Sequence, residues 1–409
     1  MKKITTDFLI IGAGIIGLNI ALELKRRYEN CKIIILEKEN HIGEHASGRN
    51  SGVLHAGFYY TKDSLKAKFT KQGNEALTDY CLENKIPINR CGKLVVARNE
   101  NDLPGLEELF RRGKENNILL NLITEKECQE LDPRAKTFEK ALFSPTTSSV
   151  DPKILLQHRL KDAERAGIQV HFNEKYINYQ KGQVKTNKGV YQCEFIVNAA
   201  GLYADKVARD FGFSKEYSIL PFKGLYLYLS TTPTDCFKRH IYPVPDLRNP
   251  FLGTHFTINH TGAVKIGPTA IPAFWREQYQ GFSKFNLFEM LQIVGRQIEL
   301  FFHAGFDFKQ LAWNEIKKYN KMILVNLASE LATGVHKENC KIWGKPGIRA
   351  QLINVKTRKL EMDFILEGDK RSLHVLNAVS PAFTCSIPFA KFVVDKIYSL
   401  ANFSEKILF

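Results

Sequence analysis

The fold is decided by the stretch DFLIIGAGIIGLNIALELKRR, residues 7–27. Residues 7–11 predict an apolar β-strand, and residues 18–27 predict a helix whose basic end complements the negative end of its dipole. Gly12, Gly14 and Gly17 lie between them at the Gly-x-Gly-x-x-Gly spacing of a dinucleotide-binding turn. A second apolar strand over residues 32–36 follows, so this segment predicts the βαβ unit of a Rossmann-type α/β fold.

Each glycine of this turn has a separate physical role. Gly12 permits the tight turn, Gly14 lets the backbone approach a pyrophosphate, and Gly17 allows the helix to pack closely. The N–H groups at the start of the helix offer positive potential to the phosphates. Glu37 ends the second strand, twenty residues after Gly17. Its carboxylate would accept hydrogen bonds from the ribose hydroxyls, which disfavours NADP.

The composition is that of a globular protein with two or three domains, because 409 residues with 44% hydrophobic side chains supply a sizeable core. The eight cysteines show no Cys-x-x-Cys pair and no metal-ligand spacing, so we expect reduced thiols and no metal. No segment has the roughly 18 uncharged apolar residues of a membrane-spanning helix. The basic start and the apolar run after it imitate a secretory signal, but Asp7 and the glycine spacing favour the nucleotide-binding turn.

The net charge of +15 favours anionic partners. Lysine and arginine are spread along the chain, however, and no basic motif is interleaved with aromatic residues. We therefore expect a solvated basic surface and no nucleic-acid partner. Together with the reduced thiols, these features indicate a cytoplasmic protein, and peripheral contact at the inner membrane stays open.

Further along the chain, apolar patterns continue to alternate between strand and helix. Asp151 and Pro152 predict the N-cap and the first position of a helix that runs to about Gly167. Residues 219–267 are β-rich, and residues 283–335 predict amphipathic helices. The remaining predicted elements are strands over residues 169–172, 176–179, 183–185, 195–198 and 373–377 and helices from Ala204 and over about 387–400.

This order of elements predicts a nucleotide-binding domain made of three separate segments, with a second domain inserted between them. We assign to the nucleotide-binding domain residues 1–90, 148–218 and 341–409, and to the inserted domain residues 91–147 and 219–340. The segment EHASGRNSGVLHAGFYY, residues 44–60, indicates which dinucleotide binds. Its glycine, hydroxyl and amide groups follow the second strand, where the extended pyrophosphate and ribityl chain of FAD would run, so it favours FAD.

The same segment resembles that of a known family. Residues 48–60, GRNSGVLHAGFYY, and residues 91–97, CGKLVVA, resemble the L-2-hydroxyglutarate dehydrogenase/oxidase family of the D-amino-acid-oxidase-like FAD oxidoreductases. The stretch 283–335 resembles this family least. Over nearly the whole chain, further motifs follow in the family's order, at Asn198–Gly201, Tyr242–Pro245, Phe251–Thr257, Gly267–Pro268, Gly347–Gln351 and Asn377–Ala382.

The resemblance implies a discontinuous Rossmann-type FAD-binding domain with an inserted α+β substrate domain built on an antiparallel sheet. It also implies hydride transfer from C2 of an L-2-hydroxy acid, L-2-hydroxyglutarate above all, to flavin N5, which leaves the 2-oxo acid and reduced FAD. The acceptor of these electrons is left open between a quinone and oxygen. The chain departs from the family at residues 223–227, KGLYL, where Arg-Gly-Glu-Tyr-Tyr is common, and at Thr269, which replaces an Asn. Both departures put the identity of the substrate in question.

Five residues are candidates for the chemistry. His55 is the first candidate for the base that takes the hydroxyl proton, because an imidazole titrates near neutrality, and His255 is the second. Covalent attachment of FAD to His55 is the variant of this hypothesis. Arg349 would bind the substrate carboxylate with its planar fork, and Lys223 and Tyr242 are candidates for the distal carboxylate and the pocket wall. The alternatives are structural histidines and a surface arginine in an ion pair.

Three other functions stay open: an amine or amino-acid oxidase of the sarcosine, glycine or D-amino-acid type, a glycerol-3-phosphate dehydrogenase, and a non-catalytic flavin-binding or RNA-binding protein.

Backbone N–H groups near Ser380 are expected at the pyrimidine end of the flavin. The candidate cofactor-binding residues are Gly12, Gly14, Ile15, Ile16, Gly17, Glu37, Lys38, Ser47, Arg49, Asn50, Ser51, Gly52, Tyr176, Ile177, Ala199, Ala200, Gly201, Gly347, Ile348, Ser380, Pro381, Ala382 and Thr384.

Overall fold

The computed structural model describes residues 2–230, 236–248, 251–304 and 307–401. Parts of the predicted β-rich stretch 219–267 and of the predicted helical stretch 283–335 therefore lie outside the described residues. The chain divides into two compact units. Unit 1 comprises residues 1–50, 152–220 and 350–409, and unit 2 comprises residues 51–151 and 221–349.

Both units contain β-strands. In chain order, the strands of the described residues are β1 (Lys2–Ile11), β2 (Ile33–Leu36), β3 (Val53–Leu54), β4 (Ile88–Asn89), β5 (Lys93–Val96), β6 (Asn121–Thr124), β7 (Lys140–Ser144), β8 (Ser148–Val150), β9 (Gln169–His171), β10 (Tyr176–Gln180), β11 (Gln183–Thr186), β12 (Gly189–Asn198), β13 (Tyr217–Gly224), β14 (Leu227–Leu229), β15 (His240–Pro243), β16 (His255–Ile258), β17 (Val264–Gly267), β18 (Ile271–Pro272), β19 (Ile342–Trp343), β20 (Gly347–Asn354), β21 (Lys359–Leu360), β22 (Ile365–Gly368) and β23 (Ser372–Asn377).

The α-helices follow the same order. They are α1 (Ile15–Arg27), α2 (Leu65–Glu83), α3 (Leu103–Glu115), α4 (Glu125–Leu131), α5 (Pro152–Arg165), α6 (Ala204–Asp210), α7 (Leu287–His303), α8 (Phe308–Ile316), α9 (Lys321–Ser329) and α10 (Ala382–Leu400). Among the described helices, none combines the length and the apolar character that crossing a bilayer requires.

The sheet of unit 1 is built around β1. This strand pairs in parallel with β2 and β12, β2 continues in parallel to β9, and β12 continues in parallel to β23. The hairpin of β10 and β11 extends the sheet beyond β12 in antiparallel pairing. Helix α1 contacts α5 and α10. The α/β fold class is thereby confirmed, with the glycine turn at the carboxyl end of β1, where parallel sheets bind ligands.

Several predicted element starts in unit 1 differ from the structure. β1 begins at Lys2 rather than at residue 7, and α1 begins at Ile15 rather than at residue 18. β12 begins at Gly189 rather than at residue 195, because it pairs with β1 along its whole length, from Lys2 beside Gly189 to Ile11 beside Asn198. α10 begins at Ala382 rather than near residue 387. Pro388 lies inside α10, and burial of side chains on either side of it keeps the first turns helical although proline removes one N–H donor.

Unit 2 is built on an eight-stranded sheet with the order β19-β14-β17-β16-β15-β5-β7-β6. Its neighbouring strands are antiparallel except for β15 and β5, which pair in parallel. This agrees with the expected α+β unit on a mainly antiparallel sheet. Unit 2 also holds the small sheet β3-β8-β4.

The first change of unit falls at residue 50, whereas the sequence assigned everything up to residue 90 to the nucleotide-binding domain. The physical reason is that Phe58 and Tyr59 are buried in a core cluster with Val95 and Tyr242 of the unit 2 sheet. The other changes of unit fall at residues 151, 220 and 349, within nine residues of the expected positions.

Candidate cofactor and active site

Gly12 and Gly17 have no room for a side chain, and Gly14 has little. A Cβ on Gly12 would lie 2.6 Å from the carbonyl oxygen of Ala199, and one on Gly17 would lie 2.0 Å from the carbonyl oxygen of Gly12. Gly12 also has φ +107°, a conformation that favours glycine. A Cβ on Gly14 would lie 3.0 Å from Ser47 Oγ. The backbone therefore approaches itself closely at this turn, as a phosphate cradle requires.

The start of α1 and the end of β2 present complementary polar groups. Ser47 Oγ accepts the Ile15 N–H at 3.0 Å, which fixes the segment after β2 against the helix start. The first turn of α1 contains no acidic residue, so its positive potential is not neutralised from within the helix. Glu37 Oε2 accepts the Ala13 N–H at 3.1 Å, and Oε1 accepts the Glu39 N–H at 3.0 Å. Two backbone donors thus hold this carboxylate beside the turn.

Other candidate cofactor residues of unit 1 have partners within that unit. Lys38 pairs with Glu39 at 2.7 Å, Arg49 pairs with Glu44 at 3.0 Å, and the Asn50 amide donates to the Ser47 carbonyl at 2.9 Å. The structure places Ala199, Ala200 and Gly201 directly after β12, and Ile16 in the first turn of α1. Ser380 and Pro381 precede α10, and Ala382 and Thr384 lie in its first turn.

Tyr176 and Ile177 lie on β10, with β11 and β12 between that strand and β1. The Tyr176 hydroxyl donates to Asp210 at 2.8 Å, and Ile177 is exposed. Ser51, Gly52, Gly347 and Ile348 belong to unit 2. No contact among the described residues links Tyr176 or Ile177 to the glycine turn, so their role in cofactor binding stays a prediction.

The two faces of the unit 2 sheet differ in chemistry. Side chains alternate along a strand, and one set packs with α9 in an apolar cluster that includes Leu94, Ile241, Phe256 and Ile266. The intervening residues therefore point to the opposite side. We call that side the titratable face, and it carries Lys93, His240, Tyr242, His255, Thr257 and Lys265.

His255 is a neutral histidine with a fixed tautomer. Its Nδ1 lies 2.9 Å from the carbonyl oxygen of Gly253. Because a carbonyl can only accept, Nδ1 carries the proton and Nε2 keeps a lone pair. The ring stacks on Tyr242 with 3.7 Å between centroids. Burial holds the pKa of His255 well below 6.5, and the positive charges of Lys93 and Arg349 lower it further. Nε2 can therefore accept a proton at neutral pH.

His55 lies close to the same face. It follows β3 and is buried, and burial lowers its pKa well below 6.5, with smaller contributions from Lys93 and His240. His240 is structural: its Nδ1 accepts the Ile258 N–H at 3.0 Å, and its Nε2 lies 3.3 Å from Cys91 Sγ. Burial lowers the pKa of His240 to about 3.

Lys93 was missed by sequence reasoning. It is fully buried, and its Nζ has no hydrogen-bond partner among the described residues. The ammonium instead lies 4.5 Å from the ring centroids of Phe58 and Tyr59 and 4.8 Å from that of Tyr242. Burial lowers its pKa to about 7. The signal in the sequence was a lysine inside the apolar strand CGKLVVA, where a charge is costly unless it is used.

Arg349 has no ion pair in the described part of the chain. Its Nη1 donates to the carbonyl oxygen of Thr269 at 2.9 Å. Thr269 Oγ1 donates to the Lys223 carbonyl and accepts the Leu225 N–H, both at 3.0 Å. The two departures from the family pattern therefore meet beside Arg349. Burial lowers the pKa of both Arg349 and Lys223.

Positive charge is in excess around the titratable face. Lys265 is another buried cation, with its pKa lowered by burial to about 8, and its Nζ lies 3.4 Å from the Ser51 carbonyl. The carboxylate that acts on Lys265 is Asp151, and the one that acts on Arg349 is Glu315. Burial raises the pKa of Tyr242, which keeps its phenol neutral. Neutral bases among buried cations suit a reaction on an anionic hydroxy acid.

The family comparison agrees with the fold and the turn. Residues 7–333 match the family described as DAO, FAD dependent oxidoreductase. The match spans most of the chain, from β1 and the glycine turn to the end of α9. The protein is therefore an FAD-dependent oxidoreductase of the DAO class.

Relatives narrow this class. The chain is 35% identical to L-2-hydroxyglutarate dehydrogenase of Indibacter alkaliphilus, over 93% of this chain and 95% of that protein. It is 33% identical to mitochondrial L-2-hydroxyglutarate dehydrogenase of Homo sapiens, over 96% of this chain and 88% of that protein. The chain belongs to the L-2-hydroxyglutarate dehydrogenase family.

Solved structures share the fold at low sequence identity. L-alpha-glycerophosphate oxidase from Mycoplasma pneumoniae with FAD bound superposes with a TM-score of 0.77 at 22% identity, over 97% of this chain and 95% of that chain. Glycine oxidase from Geobacillus kaustophilus superposes with a TM-score of 0.72 at 16% identity, over 99% of this chain and 98% of that chain. At these identities the similarity establishes the fold alone.

Proposed function

We propose that the protein oxidises L-2-hydroxyglutarate to 2-oxoglutarate. The observation that carries the proposal is the neutral, tautomer-fixed His255 beside the buried cations Lys93 and Arg349. The relatives named for this activity cover nearly the whole chain. When bound, FAD supplies the two-electron acceptor for the hydride that leaves C2.

Unit 1 fits the cofactor by its own geometry. The closely packed backbone at Gly12, Gly14 and Gly17 accommodates a pyrophosphate, and the start of α1 complements its charge. The Glu37 carboxylate, already oriented by two backbone N–H groups, retains lone pairs for the ribose hydroxyls.

His255 is the general base in this proposal. Its Nε2 takes the proton of the C2 hydroxyl. The negative charge that develops on this oxygen favours departure of the hydride from the same carbon. The Gly253 carbonyl holds the proton on Nδ1, and stacking on Tyr242 fixes the plane of the ring. The resulting imidazolium is stabilised by the Gly253 carbonyl. His55 is the second candidate for this role.

The cations hold the substrate. Arg349 binds the C1 carboxylate, because its guanidinium retains free N–H groups beside the one that Thr269 uses. Lys93 and Lys223 balance the distal carboxylate. Burial disfavours the charged form of these cations. A bound dianion supplies negative charge beside them, so substrate and site stabilise each other. Exclusion of water from the buried face strengthens these interactions.

The electrons pass from the reduced enzyme to a quinone or to oxygen as the final acceptor. We place the protein in the cytoplasm, where its eight cysteines stay reduced. Peripheral contact with the inner membrane would give access to a quinone. Steady-state turnover under nitrogen, with and without a short-chain quinone, separates the two acceptors.

Anaerobic titration tests the reaction itself. L-2-hydroxyglutarate should bleach the oxidised flavin absorbance and yield one equivalent of 2-oxoglutarate per flavin, while the D-enantiomer should leave the spectrum unchanged. Glycine, sarcosine, a D-amino acid and glycerol 3-phosphate form the other arms. Bleaching by one of these, and not by L-2-hydroxyglutarate, would refute the proposal.

A further inference from the structure

The described residues 282–304 and 307–322, which we call the apolar segment, expose an unusual amount of apolar surface. Twelve of the 22 large apolar side chains that the described residues expose lie in this tenth of the chain, so the exposure is concentrated rather than scattered. They are Phe282, Phe285, Leu287, Phe288, Leu291, Ile298, Phe301, Phe302, Trp313, Ile316, Tyr319 and Met322. Exposed patches of this kind mark interaction sites in soluble domains.

Helix α7 carries the centre of this surface and exposes an apolar stripe. Phe288, Leu291, Ile298 and Phe302 follow helical spacing on one stripe, and all four are exposed. The buried residues of α7 are Glu289, Ile293 and Leu300, so apolar side chains also lie on its inner side. The Gln297 amide donates to the Ala273 carbonyl at 2.8 Å. The sequence predicted amphipathic helices here and assigned no direction to their apolar side. On α7 the structure places the apolar stripe outward.

Positive charge lies beside aromatic side chains of the apolar segment. Lys309 Nζ lies 5.1 Å and 5.7 Å from the ring centroids of Phe301 and Phe302, and Lys317 Nζ lies 5.1 Å from that of Trp313. The described part of the segment exposes a single carboxylate, Asp307, which caps α8 by accepting the Gln310 N–H. The other carboxylates of the segment are Glu289 and Glu315, which are buried, and Glu299, which pairs with Arg296.

We propose that the apolar segment docks on the surface of an anionic lipid bilayer, with α7 lying in the plane of the interface. Aromatic and aliphatic side chains beside lysines match the chemistry of that interface, where apolar groups enter the acyl region and ammonium groups meet phosphates. The chain's net charge of +15 adds attraction to anionic headgroups. α7 has 17 residues and spans about 25 Å, which suits in-plane docking rather than crossing.

The inference rests on the peripheral membrane contact included in the proposed function, and identifies the surface of the protein that makes this contact. A bilayer is favoured over an acidic protein partner because the exposed residues are mainly large apolar groups. A second copy of the chain would place lysines of both copies near each other around the stripe. Docking would hold the enzyme where quinones dissolve.

Vesicle co-sedimentation tests the proposal with the FAD-loaded full chain. The vesicles contain phosphatidylethanolamine and phosphatidylglycerol, and vesicles of phosphatidylcholine serve as the neutral control. The matched variants are Leu291→Glu in the apolar segment and Leu119→Glu outside it, because these leucines are 59% and 60% exposed. Leu291→Glu should weaken binding to anionic vesicles about tenfold or more, while Leu119→Glu should bind as the wild type does.

A second variant tests the charge. Replacing Lys309 and Lys317 together by Gln should lower binding to anionic vesicles severalfold and leave binding to neutral vesicles unchanged. All variants should keep wild-type turnover with a soluble dye as acceptor, because none touches the titratable face. Failure of the wild type to bind anionic vesicles, or equal effects of the two leucine variants, overturns the proposal.

Sedimentation velocity separates docking from self-association. A wild-type dimer that Leu291→Glu converts to monomer, together with no vesicle binding, would assign the surface to a second copy and overturn the bilayer proposal. Flavin bleaching by L-2-hydroxyglutarate without vesicle binding would leave the proposed reaction intact. Vesicle binding without flavin bleaching would support docking and refute the proposed reaction. The two proposals can therefore fail independently.

Discussion

The glycine turn of unit 1 and the titratable face of unit 2 use opposite physical means. At the turn, function depends on backbone atoms that approach to distances only glycine permits, between Gly17 and Gly12 and between Gly12 and Ala199. At the titratable face, it depends on side chains such as Lys93 and His255, which lie on strands far apart in sequence. The cofactor turn therefore depends mainly on backbone conformation, and the reaction chemistry depends on side chains that tertiary folding brings together.

The two regions also differ in their effect on the stability of the folded state. The Glu37 carboxylate at the turn is fixed by two backbone hydrogen bonds. Lys93, in contrast, is buried without a hydrogen-bond partner among the described residues. Such a group destabilises the folded state and is tolerated where function requires it.

Gly17→Ala should have the largest effect, because the new Cβ would lie 2.0 Å from a backbone oxygen and would displace α1 from the turn. We expect purified protein with little flavin and a loss of kcat/KM of about 100-fold or more. The control is Gly295→Ala on α7, where no atom lies within 4 Å of the added carbon. Full flavin content in Gly17→Ala would contradict the role of the turn.

His255→Gln should be next in size. Loss of the Nε2 base should slow anaerobic flavin reduction by about 10²–10⁴-fold. Flavin content should not change, because the substitution lies in unit 2 and leaves the glycine turn intact. His336→Gln, at an exposed histidine of the same unit, is the control. If His55→Gln loses more than His255→Gln, the base is assigned to the wrong histidine.

Arg349→Lys should have an intermediate effect. The ammonium keeps the charge and loses the bidentate fork, so the KM for L-2-hydroxyglutarate should rise about tenfold to 100-fold with a smaller change in kcat. Arg90→Lys, at an exposed arginine, is the control. An unchanged KM would assign Arg349 to the structural contact with Thr269 alone.

Lys93→Met should stabilise the protein and weaken substrate binding. Because the pKa of Lys93 falls from 10.5 to about 7 on folding, the unfolded state binds more protons between these values. The wild type therefore gains stability as pH rises through this window, and the full penalty is present below it. Urea unfolding at pH 7 should show Lys93→Met more stable by a few kcal/mol, an advantage that shrinks towards pH 10. A destabilised variant at pH 7 would contradict this account.

The smallest expected effect is on the acid side of the pH profile. His255 acts as a neutral base, and its pKa is well below 6.5, so protonation should reduce kcat only below that range. We expect kcat to stay flat as pH falls from 7 to 6, measured with saturating substrate. An inflection near pH 6.5 would indicate a solvated base instead.

The sequence predicted most of unit 1 because its signals are short-range. Gly12 to Gly17 and the N-terminal proline of α5 act within a few residues, and the fold class followed from them. Residues 44–60 indicated FAD. The start of β12 was missed because pairing with β1, which is distant in sequence, extends it over polar residues. The outward direction of the α7 stripe was not predicted, because periodicity identifies an apolar stripe but not the side of the helix that faces solvent.

The sequence predicted part of the candidate site. His55, His255, Tyr242, Arg349 and Lys223 were named, and all of them lie in unit 2. Lys93 was not named, because its strand neighbour β15 comes from residues near 240 and strand order is not written in local sequence. The tautomer of His255 likewise depends on the Gly253 carbonyl, a contact that only the folded loop provides.

Crystals of the enzyme with FAD and 2-oxoglutarate would test the central claim most directly. The account predicts a product carboxylate in bidentate contact with Arg349 and the 2-oxo oxygen within hydrogen-bond distance of His255 Nε2. Product bound away from the titratable face, with both groups untouched, would contradict it.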